Sequence, residues 1–324
     1  MNRTCCSLLS LALVACVSMV SVRPSAAAEF SVEQHKGGVT VKIDGQFFTD
    51  YLTETGPKPI LWPIVGPYEL PMTRAFPMKK VEGEKQDHPH QRSLWFTHGD
   101  VNGVDFWSEL KGHGSIVHRA YLKVEGGENA AVIATRNDWV DANGKKVCED
   151  ERRLTFTVGS RGRTIDFDIT LKASEGPLTF GDTKEGAMGI RVPTVMDVNS
   201  KQGGQIVTSE GLTDTAAWGK PASWVDYHGE IPVGKDEKKH VGIAVLNHPS
   251  SFRYPTRWHV RDYGLFAANP FGLKDFEKND QLNGSYTVQA GESIALRYRF
   301  VFHKGDAAAA GIEQAFEEYA AEKK

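Results

Sequence analysis

The chain has 324 residues and a formal net charge of −3 at pH 7, with 40% hydrophobic and 24% charged residues, which is an ordinary globular composition. No basic stripe runs along the sequence, and this excludes nucleic acid as a partner. Beyond the N-terminal segment no apolar run approaches membrane length, so we expect no membrane association once that segment is removed.

The N-terminal segment has the organisation of an export signal. One positive charge comes before a long apolar run, and Ala26 and Ala28 supply the small-x-small pattern that signal peptidase needs. Serines inside the run and a proline behind it favour a cleaved signal over a membrane anchor. The chain stays apolar after Cys16, which argues against a lipoprotein. We therefore expect a signal peptide over residues 1–28 and a single exported domain over residues 29–324, in the periplasm or the extracellular space.

Cysteine usage agrees with a domain that needs no disulfide. Of the four cysteines, only Cys148 would remain after removal of the signal peptide. An exported chain of this size tolerates the absence of an intrachain disulfide because it buries a large core. Cys148 lies on a predicted strand, and we expect it to be a small core residue.

Most of the remaining chain has the alternating pattern of β-strands. Four long strands are predicted over residues 116–125, 130–140, 146–158 and 164–171. Asn143-Gly144 is typical of a tight hairpin turn, because such turns need residues that accept a positive φ. We expect the four strands to form an antiparallel meander.

Shorter strands are predicted over residues 241–246, 285–288 and 294–301. Strands do not alternate with helices, so a parallel sheet is not expected. One helix is predicted at the C-terminus with Asp306 as its N-cap. Its apolar face would consist of Ile312, Ala315, Phe316, Tyr319 and Ala320. The predicted fold class is all-β: a large antiparallel β-sandwich with a C-terminal α-helix.

Residues 87–107 form the densest group of chemically versatile side chains, with histidines, tryptophans, aspartates and an arginine. His88 and His90 would share one face of an extended chain, and Pro89 between them is typical of a sheet edge or bulge. The structural alternative is a turn-rich loop whose polar groups satisfy its own backbone. The mixture of polar and aromatic groups favours a functional site.

Two further segments carry similar groups. His259 and Arg261 would share one face of an extended chain. Lys184 and Glu185 lie in a charged stretch where neighbouring cations would keep a carboxylate ionised and able to act as a base. The structural alternatives are a polar strand face and a charged loop tip.

Residues 87–107, together with residues 184–191 and 257–272, resemble the family known as methane oxygenase PmoA, which is also treated as a domain of unknown function. The resemblance covers nearly the whole chain after the signal. Gln91 stands where members of that family carry a further histidine, so no histidine chemistry is expected there. The methane monooxygenase subunit of that name spans the membrane several times, so the resemblance does not imply methane oxygenase activity. The strand-rich layout is also similar to the supersandwich of galactose mutarotase-like proteins, which implies a sugar-processing function.

The favoured function is that of an exported carbohydrate-active protein with acid–base chemistry on a sugar or sugar derivative, of the epimerase, lyase or hydrolase type. His90 or His259 is the expected acid, and Glu185 is the expected base. Sugar binding requires aromatic faces and charged hydrogen-bonding groups. The expected binding residues are Arg92, Trp95, His98, Asp100, Asn102, Trp107, Lys184, Arg191, Trp258, Arg261 and Tyr263.

The alternative function is that of a non-catalytic module that binds a glycan or a partner protein. An enzyme requires His90, His259 and Glu185 to converge in one pocket, whereas a binding module would show an open aromatic surface. No cofactor is expected, although a divalent metal held by His88 and His90 with a carboxylate stays open.

The export assignment predicts where the mature chain begins. Cleavage after Ala28 would leave Glu29 as the first residue. N-terminal sequencing of the protein recovered from the periplasm or the medium should therefore begin at Glu29. A recovered chain that keeps Met1, or one that starts at a lipid-modified Cys16, would contradict the assignment.

Overall fold

The computed structural model describes residues 27–324, most of which lie in β-strands and the turns between them. The strands, in chain order, are β1 (Glu29–His35), β2 (Gly38–Ile43), β3 (Gln46–Leu52), β4 (Ile60–Ile64), β5 (Leu94–His98), β6 (Ser115–Glu125), β7 (Gly127–Glu128), β8 (Ala130–Val140), β9 (Lys146–Gly159), β10 (Gly162–Lys172), β11 (Leu178–Phe180), β12 (Gly186–Arg191), β13 (Gln205–Thr208), β14 (Trp224–Pro232), β15 (Lys238–Asn247), β16 (Arg257–Val260), β17 (Leu265–Asn269), β18 (Tyr286–Val288) and β19 (Ser293–Lys304). The α-helices are α1 (Leu273–Glu277) and α2 (Ile312–Ala320). Short 3₁₀ helices lie at Pro67–Glu69, Thr194–Met196, Val198–Ser200 and Asp214–Ala217.

The strands form two large sheets and one small sheet. The first sheet has nine strands in the order β16-β17-β12-β5-β4-β3-β2-β1-β7. The second has eight strands in the order β13-β14-β15-β19-β10-β9-β8-β6, and β11 pairs with β18 separately. Neighbouring strands run antiparallel throughout the described residues.

The predicted meander is confirmed. β6, β8, β9 and β10 correspond closely to the four predicted long strands, and each pairs antiparallel with the next. Gly144 has a φ of 81° in the turn between β8 and β9, which is the conformation that the Asn-Gly pair predicts. β1 to β4 were not among the predicted strands, and a proline lies within the last of them.

The two large sheets pack face to face around a buried hydrophobic cluster that takes residues from both. Phe48 of β3 lies edge-on to Phe156 of β9 and Phe302 of β19, with ring centroids 6.0 and 6.4 Å apart. Cys148 is buried in the same core as a free thiol, as its sequence position suggests. The chain therefore folds as a large antiparallel β-sandwich, which confirms the predicted fold class.

α2 confirms the predicted C-terminal helix but not its predicted N-cap. The buried face of α2 packs against the outer side of the second sheet, where Tyr319 and Trp224 share one hydrophobic cluster. The helix begins at Ile312 after Gly311. Asp306 lies further upstream, and its carboxylate accepts a hydrogen bond from the Ala309 N–H at 2.8 Å. It therefore closes the turn that leads into the helix.

Within residues 27–324, no helix is long and apolar enough to cross a membrane. The predicted signal peptide, Cys16 included, lies outside the described residues apart from Ala27 and Ala28. Its cleavage stays a prediction.

A charged pair is buried in the core between the sheets. Asp150 and Arg152, neighbours on the inward side of β9, are at most 1% exposed and share hydrogen bonds of 2.9 and 3.0 Å. Asn137 Nδ2 and Trp139 Nε1 also donate to the Asp150 carboxylate, each at 2.7 Å. The charge of this carboxylate is therefore balanced inside the fold.

Replacing Asp150 with alanine should destabilise the fold strongly. The change leaves Arg152 charged and uncompensated in the core, which costs about 3–5 kcal/mol of unfolding free energy. As a matched control, Glu230→Ala removes an exposed partner of Lys238 at 3.1 Å and should cost less than about 1 kcal/mol. Urea unfolding followed by tryptophan fluorescence measures both variants. Equal losses in the two would contradict the importance of the buried pair.

Candidate functional site

The outer face of the first sheet points away from the second sheet and carries a row of side chains from four strands. Register places His259 beside Ala267 and Ala267 beside Gly189. Gly189 in turn lies beside Trp95, which belongs to a hydrophobic cluster separate from the main core. A Cβ at Gly189 would lie 2.6 Å from the Trp95 ring, so glycine is needed there for the indole to lie over β12. Arg191, two residues further along β12, projects from the same face.

The loop before β5 is fixed to this face by one carboxylate between two arginines. Asp87 Oδ1 accepts hydrogen bonds from Arg74 Nη1 and, at 2.9 Å, from Arg191 Nη2. Arg191 Nη1 also donates to Gln91 Oε1, and Arg74 Nη2 donates to the His88 carbonyl at 3.1 Å. Charge-assisted bonds of this kind are among the stronger ones in proteins. The loop with the two predicted histidines is therefore held against β12.

Two cations that share one carboxylate leave positive charge on this face. Both guanidiniums are at most 1% exposed. Burial lowers the pKa of Arg74, and burial together with Arg74 lowers the pKa of Arg191 to about 10. Burial acts to raise the pKa of Asp87, but the two arginines outweigh it and hold that pKa below its usual range. All three groups stay ionised at neutral pH, so this group carries a net positive charge.

Rings from two of the predicted segments form a continuous chain of contacts. Tyr263 stacks on His88 with ring centroids 5.0 Å apart and planes 7° apart. His88 lies edge-on to His90 at 5.8 Å, and His90 contacts Trp107 at 6.1 Å. Trp107 contacts Trp95 at 5.5 Å. The structure thus brings the histidine-rich segment and the segment around Tyr263 together.

The third predicted segment meets this face at His259. The His259 Nδ1 donates to the Lys184 carbonyl at 2.7 Å, and since a carbonyl only accepts, Nδ1 carries the ring proton. Lys184 Nζ lies 3.1 Å from Glu185 Oε1, and the Glu185 side chain is 37% exposed. Burial and, less strongly, the charge of Glu185 raise the pKa of Tyr263. The Glu185 carboxylate is therefore close enough to Tyr263 to influence its pKa, which places the third segment beside the other two.

Burial keeps both histidines that were expected as acids neutral. Burial lowers the pKa of His259 to about 3, with a smaller contribution from Arg261. Burial and the charge of Lys58 lower the pKa of His90 to about 4. A general acid works best when its pKa lies near the working pH. At pH 7 these neutral rings can donate hydrogen bonds, but their environment does not favour them as proton donors.

A cavity of about 370 Å³ opens beside Tyr263, and Trp218, Arg261, Asp262 and Lys278 line it. The Arg261 guanidinium lies 5.7 Å from the Trp218 ring and 5.6 Å from the Tyr263 ring. Lys278 Nζ lies 6.0 Å from the Trp218 ring. Trp218 Nε1 and Asp262 Oδ1 are buried and have no hydrogen-bond partner among residues 27–324. Both atoms belong to residues that line the cavity, and each lacks the partner that buried polar groups normally have.

A buried lysine lies near His90. Lys58 Nζ is 2.6 Å from Glu109 Oε1, and Arg92 Nη2 is 2.8 Å from Glu109 Oε2. Burial lowers the pKa of Lys58 to about 8, although Glu109 acts in the opposite direction. Arg92 also donates to the Thr55 carbonyl at 3.1 Å, so this predicted binding residue is engaged with protein groups.

Some predicted binding residues lie inside the fold. Trp258 is fully buried in the core between the sheets, and its Nε1 donates to the Ala222 carbonyl at 3.0 Å. His98 is also fully buried, with Nε2 2.8 Å from the Gly181 carbonyl. Burial lowers the pKa of His98 to about 4. Neither side chain has surface left for a ligand.

Asp100 and Asn102 shape a loop. Asp100 Oδ1 accepts a hydrogen bond from the Gly103 N–H at 2.9 Å. Asn102 Oδ1 accepts one from the Thr179 N–H at 2.7 Å, which ties the loop to β11. These polar side chains therefore bond to backbone, which was the structural alternative for this segment.

Trp95 and Trp107 lie beneath the site. They are 1% and 2% exposed, so they support the histidine loop from below and offer no open platform. The aromatic side chains that reach the cavity are Tyr263 and Trp218.

No group of three or more His, Cys, Asp or Glu side chains within the described part of the chain could hold a metal ion. His88 Nδ1 lies 3.3 Å from Asp87 Oδ2, but Asp87 is already engaged by two arginines. A divalent metal at His88 and His90 stays a prediction.

The site also uses residues that the sequence patterns did not single out. Arg74 lies in the connection between β4 and β5, Trp218 follows a 3₁₀ helix, and Lys278 ends α1. None of the three belongs to a local motif, so only folding brings them to the site. The only hint of these residues in the local sequence is Trp218, a large aromatic side chain that Gly219 and Lys220 follow in a loop.

Comparisons with known proteins assign a family but no activity. The chain belongs to a family of unknown function, DUF6807, whose model matches residues 38–317. No curated protein matches the chain. The resemblance to PmoA proteins stays a prediction.

Several solved structures share a distant similarity with the chain. An α-galactosidase from Lactobacillus brevis is 9% identical, with a TM-score of 0.42 over 86% of this chain and 40% of that chain. A galactose mutarotase-like protein from Lactobacillus casei is 8% identical, with a TM-score of 0.34 over 85% of this chain and 100% of that chain. A glycoside hydrolase family 97 enzyme from Pseudoalteromonas, in complex with acarbose, is 8% identical, with a TM-score of 0.33 over 86% of this chain and 34% of that chain. The chain thus spans less than half of the galactosidase, and similarity at this level carries no argument about activity.

The buried neutral state of His259 predicts a specific pH dependence of stability. The folded pKa of about 3 lies below the unfolded value of about 6.5, so the unfolded state binds more protons between them. The contribution of His259 is therefore fully present above pH 6.5 and is lost as the pH falls toward 3, by at most about 1.4 kcal/mol per pH unit.

His259→Asn keeps a donor for the Lys184 carbonyl and removes the titration. The free energy of unfolding of this variant should fall less steeply between pH 6.5 and 4 than that of the wild type, as measured by urea unfolding at each pH. His35→Gln, at an exposed histidine, is the control for replacing a histidine with an amide side chain. A variant slope equal to that of the wild type would show that His259 does not titrate in this way.

Proposed function

We propose that this member of the DUF6807 family is an exported carbohydrate-active protein whose ligand binds on the outer face of the first sheet. The observation that carries the proposal is the meeting on one face of three polar segments that are far apart in the sequence. Of the predicted binding residues, Arg261 and Tyr263 line the cavity on this face, whereas His90, His259 and Glu185 are not among its lining residues. His90, His259 and Glu185 come from these segments. Export rests on the N-terminal sequence alone.

The lining of the cavity suits a sugar. A sugar presents many hydroxyl groups and apolar C–H edges, so its site needs charged donors, acceptors and aromatic rings at close spacing. Arg261 offers a planar array of donors, and Trp218 Nε1 adds a donor that no protein group uses. Asp262 Oδ1 offers an acceptor in the same cavity. The ring of Tyr263 provides an apolar edge.

Glu185 is the group best placed to act as a base. Its carboxylate is paired with Lys184 at 3.1 Å, and it remains exposed enough for a ligand to reach. A proton taken from a sugar hydroxyl or from a carbon next to a carbonyl would pass to a Glu185 oxygen. The negative charge left on the sugar oxygen would be stabilised by the Lys184 ammonium, because the Arg191 guanidinium is buried and already bonded to Asp87 and Gln91.

A glycan-binding module without catalysis is the second candidate, and the neutral histidines favour it. With His90 and His259 uncharged at pH 7, the face lacks the charged imidazole acid that acid–base chemistry at neutral pH would use. In that case Glu185 would serve only to bind hydroxyl groups.

Glu185→Gln separates the two candidates. A thermal-shift screen with mono- and disaccharides and their keto derivatives first identifies a ligand. For an enzyme, the variant should keep its melting temperature and bind that ligand within about threefold of the wild type, while turnover falls by about 100-fold or more, because a positioned base contributes 10²–10⁴ in rate.

Product formation is followed by NMR or chromatography. Glu237→Gln is the matched control. It removes the exposed carboxylate of another Lys–Glu pair, in which Lys239 Nζ lies 2.6 Å from Glu237 Oε1, away from this face. Equal loss of binding and stability in Glu185→Gln would overturn its role as a base. No melting shift with any sugar would overturn the carbohydrate assignment.

A further inference from the structure

We infer that the cavity beside Tyr263 selects sugars that carry a carboxylate, with Arg261 and Lys278 holding the acidic group. This inference rests on the proposed function and narrows it from carbohydrates in general to acidic ones, such as hexuronates. Nothing in the family assignment or in the distant structural similarities specifies such a ligand.

The first observation is that both cations of the cavity are free of ion pairs. Lys184 is paired with Glu185, and Arg191 is paired with Asp87. Within residues 27–324, Arg261 and Lys278 have no carboxylate oxygen within 4.0 Å, although both line the cavity. An unpaired guanidinium with its planar donors is suited to bind a carboxylate through two hydrogen bonds.

The second observation is that these cations cover the aromatic rings. Arg261 lies over both Trp218 and Tyr263, and Lys278 lies over Trp218 from another position. The Tyr263 ring is also stacked on His88 and lies 5.0 Å from the Arg191 guanidinium. A ligand entering the cavity therefore meets charged groups before it meets a bare ring face, which is the reverse of the aromatic platform that neutral sugars use.

The third observation is the charge behind the cavity. Arg74 and Arg191 share hydrogen bonds to one carboxylate, that of Asp87, and Arg191 lies 5.0 Å from the Tyr263 ring. The buried Asp197 carboxylate also acts on both arginines and is itself paired with Lys85 at 2.7 Å. The opposing charge in the cavity wall is Asp262, whose pKa is raised by burial and by the neighbouring Asp214. Among the residues that line the cavity, the two unpaired cations Arg261 and Lys278 outnumber the single carboxylate of Asp262, and this favours an anionic ligand.

Asp262 also gives a reason for a sugar acid over a simple anion. Its buried Oδ1 and the buried Trp218 Nε1 both lack partners, and an anion without a hydroxyl group, such as acetate, cannot donate to the carboxylate oxygen. A hydroxyl group next to the carboxylate of a sugar could donate to Asp262 while the carboxylate binds Arg261. Such a ligand would satisfy the polar groups of both signs.

The test compares acidic sugars with their neutral counterparts. Binding of galacturonate and glucuronate is measured by calorimetry and thermal shift beside galactose and glucose, with acetate and phosphate as simple anions. The acidic sugars should bind at least about tenfold more tightly than the neutral ones, since a charge-assisted hydrogen bond corresponds to a factor of about ten or more in affinity. Added salt should weaken only the acidic ligands.

Two variants locate the effect. Arg261→Gln and Lys278→Gln should each lower the affinity for the acidic sugars about tenfold, while changing that for the neutral sugars less than about twofold. Lys278 is exposed, so its variant should fold even where the Arg261 variant does not. Lys239→Gln is the matched control, because Lys239 also lies over an aromatic ring, that of Tyr68 at 5.0 Å, away from the cavity. It should leave all affinities unchanged.

The outcomes separate this inference from the function on which it rests. Equal binding of acidic and neutral sugars, with equal responses to the variants, would overturn the inference and leave a carbohydrate site in place. Acetate or phosphate binding as tightly as the sugar acids would also overturn it, because the cavity would then be a simple anion site. Absence of binding by any sugar would overturn the carbohydrate proposal and this inference with it.

Discussion

Asp87 lies between two buried arginines, and the arrangement of the candidate site depends on this interaction. A buried guanidinium needs a counter-charge, and here Arg74 and Arg191 both take theirs from one loop carboxylate. Because Arg191 belongs to β12 and Asp87 precedes β5, the shared carboxylate joins an irregular loop to the regular sheet. The rings of His88 and His90 owe their positions over the outer face to that attachment. Ring contacts of His88 with Tyr263 and of His90 with Trp107 add to this attachment.

The same arrangement decides how the face can recognise a ligand. Large rings need room on a crowded sheet face, and Gly189 provides it by leaving space for Trp95 over β12. The tryptophans then lie below the loop, while Tyr263 and Trp218 face the cavity under a layer of cations. Because cations lie over the rings that face the cavity, we expect the site to recognise a ligand by charge and directed hydrogen bonds. Stacking of a sugar on an open ring is not expected.

Burial also limits the chemistry. It lowers the pKa of His259 and His90 by removing water from rings that would otherwise titrate near neutrality. His259 also has a hydrogen bond to the Lys184 carbonyl, and the His90 ring is positioned by contacts with His88 and Trp107. Glu185 remains outside this dry region, paired with Lys184 and open to a ligand. Whether the face catalyses a reaction or only binds therefore depends mainly on one carboxylate.

The sequence by itself determined the β-sandwich class, the central meander and the C-terminal helix. These features depend on local patterns: alternation of apolar residues, an Asn-Gly turn and an amphipathic helix face. Such patterns can be recognised in the sequence without knowledge of the fold. It also determined which segments carry unusual density of polar and aromatic groups. Only the tertiary structure decided which of those side chains are available. Trp258 and His98 point into the core, whereas Trp218 and Lys278 reach the cavity from loops without a motif. Strand register and long-range ion pairs set these outcomes, and neither is encoded within a short stretch of sequence.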